Sequence, residues 1–306
     1  MRRLVSLISS ATEIVHALGA RDLLVGRSHE CDFPPEVLDL PVCTRPLIDP
    51  TVDSRAIDQQ VRNSARDALS IYEVFNDVLE RLQPTHILTQ TQCEVCAVSL
   101  RDVEQSVASR LASAPKIVSL NAASLDEIWE DIRSVGEAVG VPAERLIEQL
   151  RSRMEPVIAT ERPTVACIEW LAPLMAAGNW TPELIARAGG TDIFGKPRVH
   201  SPRIEFADLV ARDPDVIVVA PCGFNVERTR AEMHWLADRP EWGQLKAVRT
   251  GRVWLADGNQ LFNRPGPRIV ETFELLAGIL RGSITRNYCG FPARPLYSGK
   301  SHSPNG

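Results

Sequence analysis

Residues 3–37, RLVSLISSATEIVHALGARDLLVGRSHECDFPPEV, contain the pattern that decides the fold. Two short apolar runs in this stretch, RLVSLISS and LLVGRSHEC, have the character of buried strands, and Thr12 to Leu18 between them has helical spacing. A strand, a helix and a second strand in this order are typical of a parallel sheet. The stretch therefore predicts an α/β protein.

The same alternation continues through the rest of the chain. PTHILTQTQC and PKIVSLNAAS extend the first half, with helical spacing over Ile57 to Leu82, and PTVACIEW, DPDVIVVAPCG and GRVWLADGN form a second set. Between the two sets, Leu125 to about Ile158 shows helical spacing that is broken only at Gly140-Val141-Pro142. We therefore predict two Rossmann-like lobes with parallel sheets joined by a long helix. The predicted parts are an N-terminal lobe 1–123, a connecting helix 124–158, a C-terminal lobe 159–281 and an irregular tail 282–306.

Composition excludes several classes of partner. The 306 residues carry 34 basic and 39 acidic side chains, a net charge of −5, and the basic residues are scattered, so nucleic acid is not an expected partner. No apolar run approaches the roughly 20 residues that span a bilayer. The start, MRRLVSLISSATEI, turns polar too early for a signal peptide, which predicts a cytoplasmic location and reduced cysteines.

Ligands of open parallel sheets bind beyond the carboxyl ends of the strands, so the residues that follow each apolar run are the candidates. Aromatic side chains among them suit flat or apolar ligands, and an arginine suits an anionic group. The candidate ligand-binding residues are Ser10, Thr12, His29, Gln90, Trp170, Asn179, Trp180, Phe224, Asn259 and Arg264. For Trp170 and Trp180 core packing is the alternative, and for Arg264 the alternative is a role in fixing its own loop.

Four cysteines fall on the same predicted edge. Cys93 and Cys96 form a C-x-x-C pair, and Cys31 and Cys222 also follow strands. The four thiols could share zinc or an iron–sulfur cluster, and Cys93 with Cys96 could form a redox disulfide. Burial as small hydrophobic residues is the alternative. His29 could be a metal ligand or the axial base to a corrin cobalt, or it could bond the backbone of its loop.

Several stretches resemble one protein family. Residues 3–37, EWLAPLMAAGNWTPELIARAGG and NRPGPRIVETFELLAGIL are similar to the cobalamin-binding solute-binding proteins that capture vitamin B12 for ABC importers. HECD, TQ-x-x-C-x-V-C-A-V, APCGF and NRPGPR are motifs of one subgroup. The resemblance, over about residues 2 to 280, implies the class III substrate-binding-protein fold, with helix-joined lobes that move little and grip cobalamin or a related corrinoid. The stretch from Asp53 to Val74 is longer than in the transporter proteins, and the sequence assigns it no role.

The leading hypothesis is a cytosolic binding protein that holds a corrinoid or a related metal-containing small molecule in the cleft between its lobes. An ABC importer as partner follows from the resemblance, although it conflicts with the predicted location. The alternatives are an enzyme or carrier with a zinc or iron–sulfur centre, and a thiol oxidoreductase. A binding protein is favoured over an enzyme, because the chain has no G-x-S-x-G, Walker or G-x-G-x-x-G motif.

Overall fold

The computed structural model describes residues 2–66, 70–91 and 114–283, and its contacts divide the chain into two compact units. Unit 1 comprises Met1–Arg153 together with Arg264–Pro267, and unit 2 comprises Met154–Asn263 together with the residues from Arg268 onward. The residues that the sequence assigned to a connecting helix therefore fall mainly in unit 1. The four predicted parts of the chain stay a prediction.

Unit 1 contains a four-stranded parallel sheet. Its described elements, in chain order, are β1 (Leu4–Ser6), α1 (Ser9–Ala17), β2 (Leu24–Arg27), β3 (Thr44–Pro46), α2 (Ser54–Arg66), β4 (Tyr72–Val74), α3 (Asn76–Leu82), β5 (His86–Gln90), β6 (Lys116–Leu120), α4 (Leu125–Val139) and α5 (Glu144–Arg153). The strand order is β2-β1-β5-β6, with every neighbouring pair parallel. Val5, Leu7, Leu79 and Ile87 are fully buried in one apolar cluster, as expected for strands covered on both faces. The predicted parallel sheet is confirmed.

The predicted connecting segment contains two helices, α4 and α5. Ser124 begins α4 by accepting a hydrogen bond from the backbone N–H of Glu127, and Gly140, at φ 79°, ends it. A left-handed residue of this kind is the common end of a helix, and glycine adopts it without steric cost. The sequence located this break correctly at Gly140-Val141-Pro142.

The stretch from Asp53 to Val74 forms a helix and a strand. The sequence predicted helical spacing over the whole of residues 57–82. In the structure β4 interrupts this range and pairs antiparallel with β3. In this pairing Thr44 lies opposite Val74, and Pro46 lies opposite Tyr72. We call β3 and β4 together the ribbon. A hydrogen bond connects the start of the ribbon to the end of β2: the backbone N–H of Cys43 donates to the carbonyl of Arg27 at 2.8 Å.

Unit 2 has its own sheet. Its described elements are β7 (Thr164–Trp170), β8 (Met175–Ala176), α6 (Thr181–Arg187), β9 (Thr191–Asp192), α7 (Phe206–Arg212), β10 (Val216–Val219), α8 (Val226–Glu232), α9 (His234–Ala237), α10 (Lys246–Arg249), β11 (Val253–Leu255), a π-helical turn (Gly258–Phe262) and α11 (Ile269–Arg281). The order is β11-β10-β7-β8, and β9 also pairs with β7. All pairs are parallel except β7 with β8, because the chain turns back directly after Trp170.

Within the described ranges, no helix is both long enough and apolar enough to cross a membrane.

Candidate functional site

The loop after β2, residues 28–32, holds a histidine at the carboxyl end of the unit 1 sheet. The side chain of His29 is 23% exposed, and its Nδ1 lies 2.8 Å from Oγ1 of Thr44 on the ribbon. The backbone N–H of His29 donates to the same oxygen at 3.1 Å, and the Thr44 hydroxyl donates to Ser28 Oγ. The imidazole is therefore held on one side by a buried threonine.

The electrostatic surroundings keep this imidazole neutral. Burial, with a smaller contribution from the charge of Arg27, lowers the pKa of His29 to about 4. At neutral pH the ring therefore carries no positive charge and keeps one nitrogen lone pair. A neutral imidazole with a free lone pair is the form that binds metals.

Glu30 and Tyr72 complete the surroundings of the histidine. The Tyr72 hydroxyl donates to Glu30 Oε1 at 3.4 Å, and the Tyr72 and His29 rings are 5.5 Å apart. His29 Nε2 is 3.9 Å from the same carboxylate oxygen. Burial raises the pKa of Glu30 to about 7, and the charge of Arg264 and the Tyr72 bond oppose this rise only in part. The carboxyl is therefore about half protonated at neutral pH.

The segment after β1 is more buried than a ligand-facing loop would be. Thr12 Oγ1 lies 2.8 Å from Ser6 Oγ and 3.0 Å from Cys31 Sγ, and all three residues are fully buried. Ser10 is also buried, and its hydroxyl has no hydrogen-bond partner within the described part of the chain. Gln90, at the end of β5, is buried as well. The roles of Ser10, Thr12 and Gln90 in ligand binding stay predictions.

The cysteine cluster is not supported. Cys31 points into the core, and burial raises the pKa of its thiol to about 11, so it stays protonated rather than becoming a metal-binding thiolate. Cys222 is half-buried in unit 2, whereas Cys93 and Cys96 lie outside the described residues. Within 2–66, 70–91 and 114–283, no group of three or more His, Cys, Asp or Glu side chains could hold a metal ion. Nothing in these ranges supports zinc or an iron–sulfur cluster.

Arg264 is buried, and its role in ligand binding stays a prediction. It belongs to unit 1, where its Nη1 donates to Glu13 Oε1 at 3.0 Å and to Asp32 Oδ1 at 2.6 Å. The side chains of Arg264 and Glu13 are only 6% and 2% exposed. This arrangement agrees with the alternative that the sequence left open, an arginine that fixes its own loop. It also gives Asp32 an ion-pair partner.

Unit 2 contains an aromatic cluster after β7 and β10. The Trp170 and Phe224 rings are 5.2 Å apart, and the Arg228 guanidinium lies 3.8 Å from the Phe224 ring centroid. Phe224 is buried under these neighbours, while Trp170 is partly exposed and donates its indole N–H to the Ala172 carbonyl. The cluster therefore presents Trp170 and Arg228 as its accessible members.

The remaining candidates of unit 2 occupy different positions. Trp180 is buried and donates its indole N–H to the Phe262 carbonyl at 3.1 Å, which agrees with the core-packing alternative. Asn179 precedes it with a left-handed backbone, at φ 53°. Asn259 lies in the π-helical turn and is half-buried. A direct contact of these three residues with ligand stays a prediction.

Sequence reasoning missed four residues of these sites: Thr44, Glu30, Tyr72 and Arg228. Tyr72 had a weak signal, since YEV alternates between apolar and polar side chains as a strand does. Thr44, Glu30 and Arg228 had no comparable local signal. The contacts of Thr44 with His29 and of Glu30 with Tyr72 join residues 15 and 42 positions apart, whereas Arg228 lies only four positions after Phe224.

Comparison with known proteins confirms the resemblance. A vitamin B12-binding protein of Vibrio cholerae is 25% identical over 289 residues, which cover 91% of this chain and 89% of the relative. An uncharacterised ABC transporter substrate-binding lipoprotein of Bacillus subtilis is 23% identical over 292 residues, covering 90% and 79%. A solved periplasmic heme-binding protein of Pseudomonas aeruginosa covers 97% of this chain and 95% of its own at a TM-score of 0.67 and 21% identity.

These relatives correct the predicted location. One is named a lipoprotein of an ABC transporter and another a periplasmic protein, so the prediction of a cytoplasmic protein is wrong. That prediction rested on the first few residues alone.

The fold is the class III periplasmic binding protein fold that the resemblance implied. Residues 4–259 match the model of one family, and this range includes every described strand of both units. The chain thus belongs to the periplasmic binding protein family.

Proposed function

We propose that this protein captures a metal-containing tetrapyrrole, and specifically a corrinoid, for an ABC importer. The observation that carries the proposal is the relative named as a vitamin B12-binding protein, whose similarity extends over nine-tenths of the chain. The lipoprotein relative, named as part of an ABC transporter, supports the partner.

Two local features support a ligand of this chemistry. The neutral imidazole of His29 suits a ligand with a metal centre. The partly exposed ring of Trp170, with the charge of Arg228 beside it, suits a broad apolar ligand with anionic or amide groups at its edge. Each of these two features supplies chemistry that a corrinoid would use.

The test is titration of the purified full chain with cyanocobalamin, followed by calorimetry and by tryptophan fluorescence. We expect saturable binding of one ligand per chain, with a dissociation constant of about 1 μM or lower. Hemin is titrated in parallel. Binding of hemin without binding of cyanocobalamin would replace the corrinoid by an iron porphyrin, and binding of neither would overturn the proposal.

A pair of variants tests the contribution of the aromatic cluster. Trp170→Ala should weaken cyanocobalamin binding by about 10- to 100-fold, as expected for an anchoring aromatic residue. Trp235→Ala is the matched control, because it also removes one indole but lies in α9, where the side chain packs against the apolar core of unit 2. Equal affinities for the two variants would remove Trp170 from the binding surface.

A further inference from the structure

Both strands of the ribbon contact His29. β3 supplies Thr44, whose hydroxyl contacts His29 Nδ1, and β4 supplies Tyr72, whose ring lies beside the imidazole. β4 belongs to the stretch from Asp53 to Val74, to which the sequence assigned no role. The backbone bond from Cys43 to Arg27 holds the ribbon at the end of β2, two residues before His29.

The hydrogen bonds of Thr44 favour one of the two tautomers of His29. The Thr44 hydroxyl donates to Ser28 Oγ, so its oxygen acts as acceptor toward both the backbone N–H and the Nδ1 of His29. In this arrangement of hydrogen bonds Nδ1 carries the proton and Nε2 carries the lone pair, whereas the other tautomer would need the Thr44 hydroxyl to donate to Nδ1 instead of Ser28 Oγ. This is the arrangement of metal-binding histidines, in which one ring nitrogen donates to a protein oxygen and the other faces the metal.

Nε2 is left available by its neighbours. Its distance to Glu30 Oε1 is 3.9 Å, which is too far for a hydrogen bond. The Tyr72 hydroxyl donates to that same oxygen. The ring of Tyr72 packs at a tilt of 41° to the imidazole, which restricts how the imidazole can turn. The side chain is partly exposed, so a ligand can reach it.

We propose that His29 Nε2 coordinates the metal of the bound tetrapyrrole, and that the ribbon sets the tautomer and the orientation of this histidine through Thr44 and Tyr72. This inference rests on the proposed function. It narrows the ligand to a metal tetrapyrrole with an exchangeable axial position, either a corrinoid without its own nucleotide base or an iron porphyrin. In the binding step, a water molecule leaves the metal and the Nε2 lone pair forms the new bond. No proton moves, and the oxidation state of the metal does not change.

The first test compares two corrinoids on the wild-type protein. Diaquocobinamide has no nucleotide base and carries water at both axial positions, whereas both axial positions of cyanocobalamin are filled. With diaquocobinamide, the visible bands of cobalt should shift as they do on addition of free imidazole. With cyanocobalamin they should stay unchanged. The same experiment with hemin, followed at its Soret band, shows whether iron is coordinated in the same way.

The second test identifies the ligand atom without a mutation. Cobinamide reduced to the Co(II) form by added dithionite is bound to the protein, and its electron paramagnetic resonance spectrum is recorded. One axial nitrogen splits the cobalt lines into triplets. In protein labelled with ¹⁵N-histidine these triplets should become doublets.

Variants then locate the histidine. His29→Ala should abolish the shift and should weaken diaquocobinamide binding at least tenfold more than cyanocobalamin binding, and added imidazole should restore the shift. His16→Ala removes a histidine from the last turn of α1, for which no ligand role is proposed, and should leave the spectrum unchanged. Thr44→Val, which keeps the shape of the side chain, should weaken diaquocobinamide binding several-fold.

Each result bears on one of the two proposals. If cyanocobalamin binds but neither the band shift nor the nitrogen splitting appears with cobinamide or hemin, coordination by His29 is overturned and the proposed function stands. A shift that persists in folded His29→Ala also overturns it. If none of the three tetrapyrroles binds, the proposed function fails, and this inference fails with it. The spectrum of the labelled wild-type protein decides the case even where a variant does not fold.

Discussion

Replacing Arg264 by methionine should destabilise unit 1 strongly. The substitution removes the guanidinium that contacts Glu13 and Asp32 but keeps most of the apolar stem. Glu13 is 2% exposed, and removing one partner of a buried ion pair costs about 3–5 kcal/mol. Asp32, whose side chain is 32% exposed, should add little, because water can solvate it. We therefore expect a loss of about 3–4 kcal/mol in the free energy of unfolding.

Burial, rather than distance, is the basis of this estimate. The pair between Arg81 and Asp77 has a comparable separation of 2.8 Å, but its side chains are 67% and 72% exposed. Arg81→Met should therefore change stability by less than about 0.5 kcal/mol. Adding Glu13→Gln to Arg264→Met should recover about 1–3 kcal/mol, because the buried carboxylate is then replaced by a neutral amide.

The assay is urea denaturation of the ligand-free chain, combined with hydrogen exchange of peptides from α1, which report on unit 1 alone. Faster exchange in α1 should accompany the loss of stability in Arg264→Met. If Arg264→Met and Arg81→Met cost the same, or if the former costs less than about 1 kcal/mol, the buried ion pair does not stabilise the unit and the reasoning is wrong.

Two further predictions concern unit 2. Burial acts to raise the pKa of Asp215, but the Lys246 ammonium and Thr164 outweigh this effect and hold it at about 2. Because this pKa lies below the unfolded value of about 3.9, its contribution is present above pH 4 and is lost as pH falls toward 2. Asp215→Asn should therefore lower the melting temperature at pH 7. Because the pair is partly exposed, the change should correspond to about 1 kcal/mol or less. If the melting temperature is lowered by the same amount at pH 2, the reasoning is contradicted. Gly258→Ala should lower the melting temperature markedly, because a Cβ at this position would lie 2.0 Å from the Pro221 carbonyl oxygen. In the control Gly243→Ala the Cβ meets nothing within 4 Å, so the melting temperature should hardly change. Similar melting temperatures for the two variants would contradict the steric argument.

Local patterns in the sequence predicted most of the fold. The apolar runs of β1 and β2 are buried strands, the spacing between them is α1, and the Gly140-Val141-Pro142 break ends a helix. These features depend on side chains a few positions apart, so the sequence displays them directly. The strand β4 was missed because three alternating residues within a longer helical pattern give too weak a signal.

The candidate site was predicted less well. The position of His29 after a strand was recognisable, but its partner Thr44 lies 15 residues further along the chain. The partners of Arg264 are 251 and 232 positions away, and nothing in its own loop indicates them. The burial of Cys31 was likewise not apparent, because a residue directly after a strand can face either the core or the solvent.

The segment that joins the two strands of the ribbon has a consequence for how this protein can evolve. Of the 13 residues of α2, only Ser54 and Ile57 are buried, so most of the helix can accept substitutions at little cost to the unit. Changes in its length or sequence would act on the position of Tyr72 beside His29 rather than on the strands of the parallel sheet. If His29 coordinates the ligand as proposed, a descendant, or a laboratory library confined to this helix, would acquire a new ligand preference while the folding of the rest of the chain is preserved.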